Sequence, residues 1–448
     1  MDKYLHKFLN FYELHDMNLN DNTIKNVFEL FYKHIHKAHN RSHDIKIIET
    51  QKIKKLHSKN EYPLLYKYVK MLQDNGKINE VINNCPVFNI FKQFVEWQRI
   101  NATDINFNLI KNNIPDIDTG IDKYSECQKL LYSKIRNNQF ISLDIQQDIE
   151  SSDISYSKII INNRHTIHSY IFDDNDKPNY KYVATIIDFM EHIAKHYNQP
   201  TPPVDLVIIY TKQKKLIKKN TKILCADNIN SGSTYPGKTI TCWRKEEFYK
   251  VLIHELFHYY KFDFHCNEPS YDRLYNNIDV GTIDGVDSIN ECYTEANTII
   301  LHCLYKSILE DTNYESVLNN FKKYIMIEMN FMIFQVAKII NLFNGNSLDD
   351  LFNNRIVLRQ NTNVRSYFII KFLLLLNFDK FFEFINKDLV VNDNRLMEFG
   401  KLINISKQNL LSTNDIINKI NGTINKLHHS SNNNWITKTS KMTIITIH

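Results

Sequence analysis

Apolar residues recur at three- and four-residue steps over residues 4–12, 24–38, 62–72 and 88–97. That period predicts helices, so residues 1–145 read as a mainly helical region. Near residues 144–153 the chain turns acidic and polar, and beyond this boundary the period changes. Residues 154–172 hold two β-rich runs, KIIIN and HTIHSYIF, which predict a hairpin. Residues 182–197 predict an amphipathic helix, ended by Pro200, Pro202 and Pro203. The continuous apolar run at 204–210, VDLVIIY, predicts a buried strand, and 222–226 and 238–243 are further strand candidates. Helical spacing returns at 248–262 and 288–305, then at 314–343, 364–384 and 396–424. A polar stretch, HHSSNNN, precedes a β-prone end at 435–448. The order implies an α+β fold, mainly helical. A mixed-sheet domain over 146–310 is flanked by helical regions at 1–145 and 311–427, with a tail at 428–448.

The helix predicted at 248–262 carries the chemistry. Phe248, Val251, Leu252, Leu256 and Tyr259 form its apolar stripe, and Glu246 and Glu247 fall in the expected first turn. Within it stand His254, Glu255 and His258, the pattern H-E-x-x-H. Residues four apart on a helix share a face, roughly 5–6 Å from each other. Two imidazoles so placed can hold one zinc ion, which in catalytic sites takes three protein ligands and keeps one open position. Glu255 can reach a water there as a general base. The bland alternative is an amphipathic helix with two ordinary histidines. A third ligand is available on the next helix, where Asn290, Glu291 and Glu295 form N-E-x-x-x-E. The two glutamates share a face: one can bind the metal while the other accepts the free N–H of a ligating imidazole.

H-E-x-x-H followed by N-E-x-x-x-[DE] on a second helix resembles the gluzincin metallopeptidases, the thermolysin-like branch of the zincins. The resemblance spans about residues 204–305. It implies a zincin-like catalytic domain with one zinc per chain, bound by His254, His258 and Glu291. It makes Glu255 the base and Glu295 the partner behind the ligating ring. It also implies a peptide substrate, paired with an edge strand at 228–235 or the strand after it. The metzincin pattern fails, because Lys261 and Phe264 stand where Gly and His are required. The aspzincin pattern matches only in Gly281, Thr282 and Asp284, with Asp287 and Ser288 in place of its Tyr-Gly. The third ligand thus lies among Glu291, Glu295 and Asp284. Tyr271, Tyr275, Tyr293 and His302 are candidate donors to the oxyanion of a peptide hydrolysis.

Composition narrows the partners. With 448 residues, 43% apolar and 23% charged, the chain can bury a large core. A formal charge of +5 does not call for nucleic acid, and the basic run KQKKLIKK at 212–219 reads as a solvated loop. Seven cysteines without a C-x-x-C pair favour a reducing compartment. The charged N-terminus is no secretory signal, and the most apolar stretch, 367–378, is too short to span a bilayer. These features predict an intracellular protein, in the cytoplasm or, if the source is viral, in the virion. Abundant Asn, Lys and Ile fit an AT-rich coding genome such as a large DNA virus or a protist. His192 and His196 also stand four apart but lack a glutamate between them and read as surface residues. Two classes of function follow: a zinc metallopeptidase, or a non-catalytic structural or virion-associated protein that retains a zincin fold.

Overall fold

A six-stranded mixed sheet frames the molecule in a computed structural model. The model describes residues 3–17, 19–55, 125–136, 138, 140–217, 221–263, 268–429 and 435–447. The strands are β1 (Ile45–Ile53), β2 (Ile154–Ile161), β3 (His165–Ile171), β4 (Asp205–Thr211), β5 (Gly232–Tyr235) and β6 (Thr239–Arg244), in the order β1-β2-β3-β4-β6-β5. β2 and β3 form the predicted hairpin, and β4 lies parallel to both β3 and β6. β5 runs antiparallel to β6 and forms one edge. β1 forms the other, so the region expected to be helical lends the sheet a strand.

The continuous apolar run of β4 has a clear cause, because both faces of the sheet are covered. Leu206 and Ile208 join the main core, while Val207 and Ile209 face a smaller core with Trp243. Helices α1 (Lys3–Phe11), α2 (Asp21–His39), α3 (Glu126–Arg136) and α4 (Leu143–Glu150) precede the hairpin. Leu131, Ile135, Ile145 and Ile149 of α3 and α4 cover the smaller core. α5 (Tyr180–His196) links β3 to β4 and packs on the main-core side. The predicted helices at 62–72 and 88–97 lie outside the described residues.

The strand expected at 222–226 does not form. A single bridge joins Leu224 to Gln360, and a short helix α6 (Ala226–Ile229) follows. Then come α7 (Phe248–Tyr259), α8 (Glu268–Asn277) and α9 (Asn290–Glu310). α7 is buried nearly all round, as a helix with apolar residues on every face must be. It packs against α5, α9, β5 and β6.

The remaining helices are α10 (Tyr314–Leu342), α11 (Leu348–Phe352), α12 (Lys371–Leu376), α13 (Phe378–Lys387), α14 (Asp393–Leu411), α15 (Asn414–His429) and α16 (Trp435–Lys438). β7 (Thr282–Gly285) and β8 (Val357–Gln360) form a separate parallel pair. The helix predicted at 364–384 is broken in two places: a π turn, Arg365–Ile370, precedes α12, and Asn377 separates α12 from α13. α10 is the helix among the described residues that is long and apolar enough to cross a membrane, yet 83% of that stretch is buried inside the fold. The end of the chain is docked. Residues 439–447 form an interior strap, with Thr439, Lys441, Thr443 and Ile444 each 0% exposed.

Candidate metal centre

α7 begins at Phe248, later than the acidic pair suggests. Glu247 stands at the N-cap with φ 63° and makes no cap hydrogen bond with its side chain. Glu246 and Glu247 do not serve the helix as exposed first-turn charges. Glu247 is buried in an ion pair with Lys215 (2.9 Å), and the half-buried Glu246 accepts from the Lys215 backbone N–H at 2.7 Å. Lys215 is 1% exposed, so the basic run is not solvated throughout. The helix ends with Lys261 in the left-handed region (φ 59°), where glycine is usual. That reversal turns Asp263 back toward the last turn, 2.7 Å from His258 Nδ1.

His254 and His258 point their Nε2 atoms at one spot, 3.1 Å apart. Glu291, from the first turn of α9, brings Oε2 to 3.2 Å from the first and 3.4 Å from the second. A tetrahedral zinc with bonds of 2.0–2.1 Å needs ligand atoms about 3.3–3.4 Å apart. The three donors therefore match three corners of such a site, and they are the group of possible ligands found among the described residues. Each imidazole is held from behind. His254 Nδ1 lies 2.8 Å from Glu295 Oε2, and His258 Nδ1 faces Asp263, which Asn290 anchors at 3.0 Å. Carboxylates on the far nitrogens fix the tautomer that leaves each Nε2 free to ligate.

The field of the cluster calls for positive charge. Burial works against a proton on His258, yet Asp263 and Glu291 overcome it and raise its pKa well above the ordinary value. Burial likewise opposes ionisation of Glu291, but the two histidines win and hold its carboxyl well below the usual range. Glu295 is also held low: Lys250 and Lys371 outweigh the burial that would raise it. Lys371 Nζ lies 3.4 Å from Glu295, and Lys250 pairs with the same carboxylate more closely.

Glu255 lies against the sheet edge. Thr234 of β5 donates to its Oε2 at 2.7 Å. Gly232 on the same strand leaves the space that Glu255 fills; a Cβ there would sit 2.3 Å from Oε1. Burial raises the pKa of Glu255.

The other sequence candidates fall elsewhere. Asp284 is exposed on β7 and takes no part in the cluster. Tyr275 bonds the backbone of Asp287 and Ile289, Tyr293 donates to Leu389 O, and His302 lies 3.0 Å from Ile445 O. Tyr271 packs against the core from α8. His192 is held by the Asp188 carbonyl, while the His196 ring lies 5.3 Å from that of His34. Tyr367, which sequence reasoning missed, comes nearest instead. It sits in the π turn and donates to Glu291 Oε2 at 3.0 Å. A π turn frequently marks a functional site, but no apolar period announces one.

Comparison with known proteins adds little chemistry. No family model and no solved structure matches the chain. Over 196 residues it is 27% identical to an uncharacterized protein of Acanthamoeba polyphaga mimivirus. The match covers 43% of this chain, which spans about half the length of that curated relative.

Proposed function

We propose that the chain is a zinc-dependent metallopeptidase of the gluzincin type, with His254, His258 and Glu291 as metal ligands. The reading rests on one observation above all: three donor atoms 3.1–3.4 Å apart, with carboxylates behind both rings. When bound, zinc supplies two things, a water acidified to a pKa of about 7 and a polarised carbonyl. Glu255 would serve as the general base toward an attacking water and would return the proton to the leaving nitrogen as the C–N bond breaks. Its burial suits the task, because a raised pKa brings a carboxylate nearer to neutral pH. Thr234 holds the carboxylate in place. The Tyr367 hydroxyl, beside Glu291, would be the donor to the oxygen that gains charge. β5 pairs only with β6 among the described residues, so its outer side offers backbone groups to an extended peptide. The relative named above is viral, which suits an intracellular or virion setting.

The test is paired. Purified protein should contain about one zinc per chain and cleave a peptide library, and Glu255→Gln should keep the zinc and lose the cleavage. Zinc-free protein, or unchanged cleavage by Glu255→Gln, would overturn the proposal.

A further inference from the structure

A small void lies against the catalytic glutamate, bordered by His254 and Glu255 themselves, by Gly232, Val251 and Met442, and also by the ion-paired Lys215, Lys250 and Glu295. Its volume is about 20 Å³. A cavity of that measure holds roughly one water molecule. It is therefore the size of a methyl or hydroxymethyl group. One further wall residue, Ser231, is 4% exposed, and among the described residues its Oγ has no hydrogen-bond partner. A buried hydroxyl left unpaired beside a void is a group awaiting a ligand.

Met442 comes from the strap, far from the motif helix in sequence, and three contacts fix it. Its N–H donates to Glu247 Oε1 at 2.7 Å, and its carbonyl accepts from Lys371 at 3.2 Å. Its sulfur lies 3.6 Å from Lys250 Nζ. Both lysines are held in turn by Glu295, the partner of His254. A methionine normally adapts its shape to its neighbours, but one pinned at N–H, carbonyl and sulfur is a rigid wall.

We propose that Met442 is a specificity-determining residue: it closes the void beside Glu255 and restricts the substrate side chain entering there to that of glycine, alanine or serine. The inference rests on the peptidase reading above. Ser231 Oγ adds a hydrogen bond for a serine hydroxyl. Val251 forms an apolar wall of the same void, so shortening either residue should enlarge it.

Peptide hydroxamates, which chelate zinc directly, test this without turnover. Two probes suffice, one carrying a methyl and one an isobutyl side chain, titrated calorimetrically into zinc-loaded protein. Wild type should bind the methyl probe at least about tenfold more tightly, the discrimination a few methylenes confer in a small pocket. Met442→Ala and Val251→Ala should abolish or reverse that ratio, while Met442→Leu, which conserves volume, should keep it. A thermal melt establishes that each variant is folded, and Val251→Ala decides alone if Met442→Ala is not. Equal binding of both probes by wild type, or an unchanged ratio in a folded enlarged variant, overturns the inference and leaves the peptidase reading standing. Failure of wild type both to bind either probe and to cleave any peptide overturns the peptidase reading, and the inference with it.

Discussion

α7 carries two buried ionic clusters one turn apart, and they are built on opposite principles. Around Lys250 three buried lysines are paired: Lys215 with Glu247, and Lys250 and Lys371 with Glu295. The strap completes this cluster, with Glu247 and Glu328 accepting its backbone N–H groups at 2.7–2.9 Å. Around His254 and His258 no such balance exists. Among the described residues Glu291 pairs with the two imidazoles and with no lysine or arginine. A buried charge cluster is tolerated when paired. The cluster that gathers carboxylates and imidazoles without a lysine or arginine on Glu291 is the one where we propose a metal ion. Strongly perturbed groups occur in both, so perturbation alone does not separate function from structure.

The sharpest way to break the comparison is His258→Ala. It removes one of three donors, and bound zinc, measured by elemental analysis after dialysis, should fall from about one per chain to nearly none. Full retention would move the site elsewhere, with His192 and His196 the first suspects. Next comes Glu255→Gln, which keeps size and hydrogen bonding but removes basicity. Peptide hydrolysis should drop by about 10²- to 10⁴-fold with zinc content unchanged.

The balanced cluster should respond in stability. Lys250→Met leaves Glu295 with Lys371 and His254, and breaking a buried pair costs about 3 kcal/mol. Urea unfolding would measure the loss, and a variant as stable as wild type would show that the pair adds nothing. The smallest effect concerns Glu328. Burial pushes its pKa up to about 7, despite hydrogen bonds from the strap. Between its ordinary value of 4.5 and about 7 the folded chain keeps a proton that the unfolded chain releases. Stability from this group therefore declines as pH rises through that window, by at most about 3 kcal/mol. Glu328→Gln cannot titrate and should flatten the decline, seen by comparing urea midpoints at pH 5 and pH 7.5. Parallel midpoints in the two proteins would exclude the assignment.

Much of this site was legible in the chain alone. His254, Glu255, His258, Glu291 and Glu295 were found because helical spacing is local: residues four apart share a face whatever surrounds them. The hairpin β2–β3, the buried strand β4 and the helices α5, α7 and α9 were legible for the same reason, since burial on one or two faces leaves its period in the sequence. What lay beyond reach depended on what meets each face. That Glu291, and not Glu295 or Asp284, faces both Nε2 atoms follows from how α9 crosses α7. Asp263 reaches His258 only because Lys261 adopts a left-handed turn that its residue type does not favour. Gly232 and Thr234 meet Glu255 through sheet pairing, and Tyr367 meets Glu291 through a π turn. The β-prone end became an interior strap because buried Glu247 and Glu328 satisfy its N–H groups in place of a neighbouring strand. Periodicity records which side of an element is buried. Chelation geometry and charge balance arise between elements distant in sequence, and only the tertiary structure brings them together.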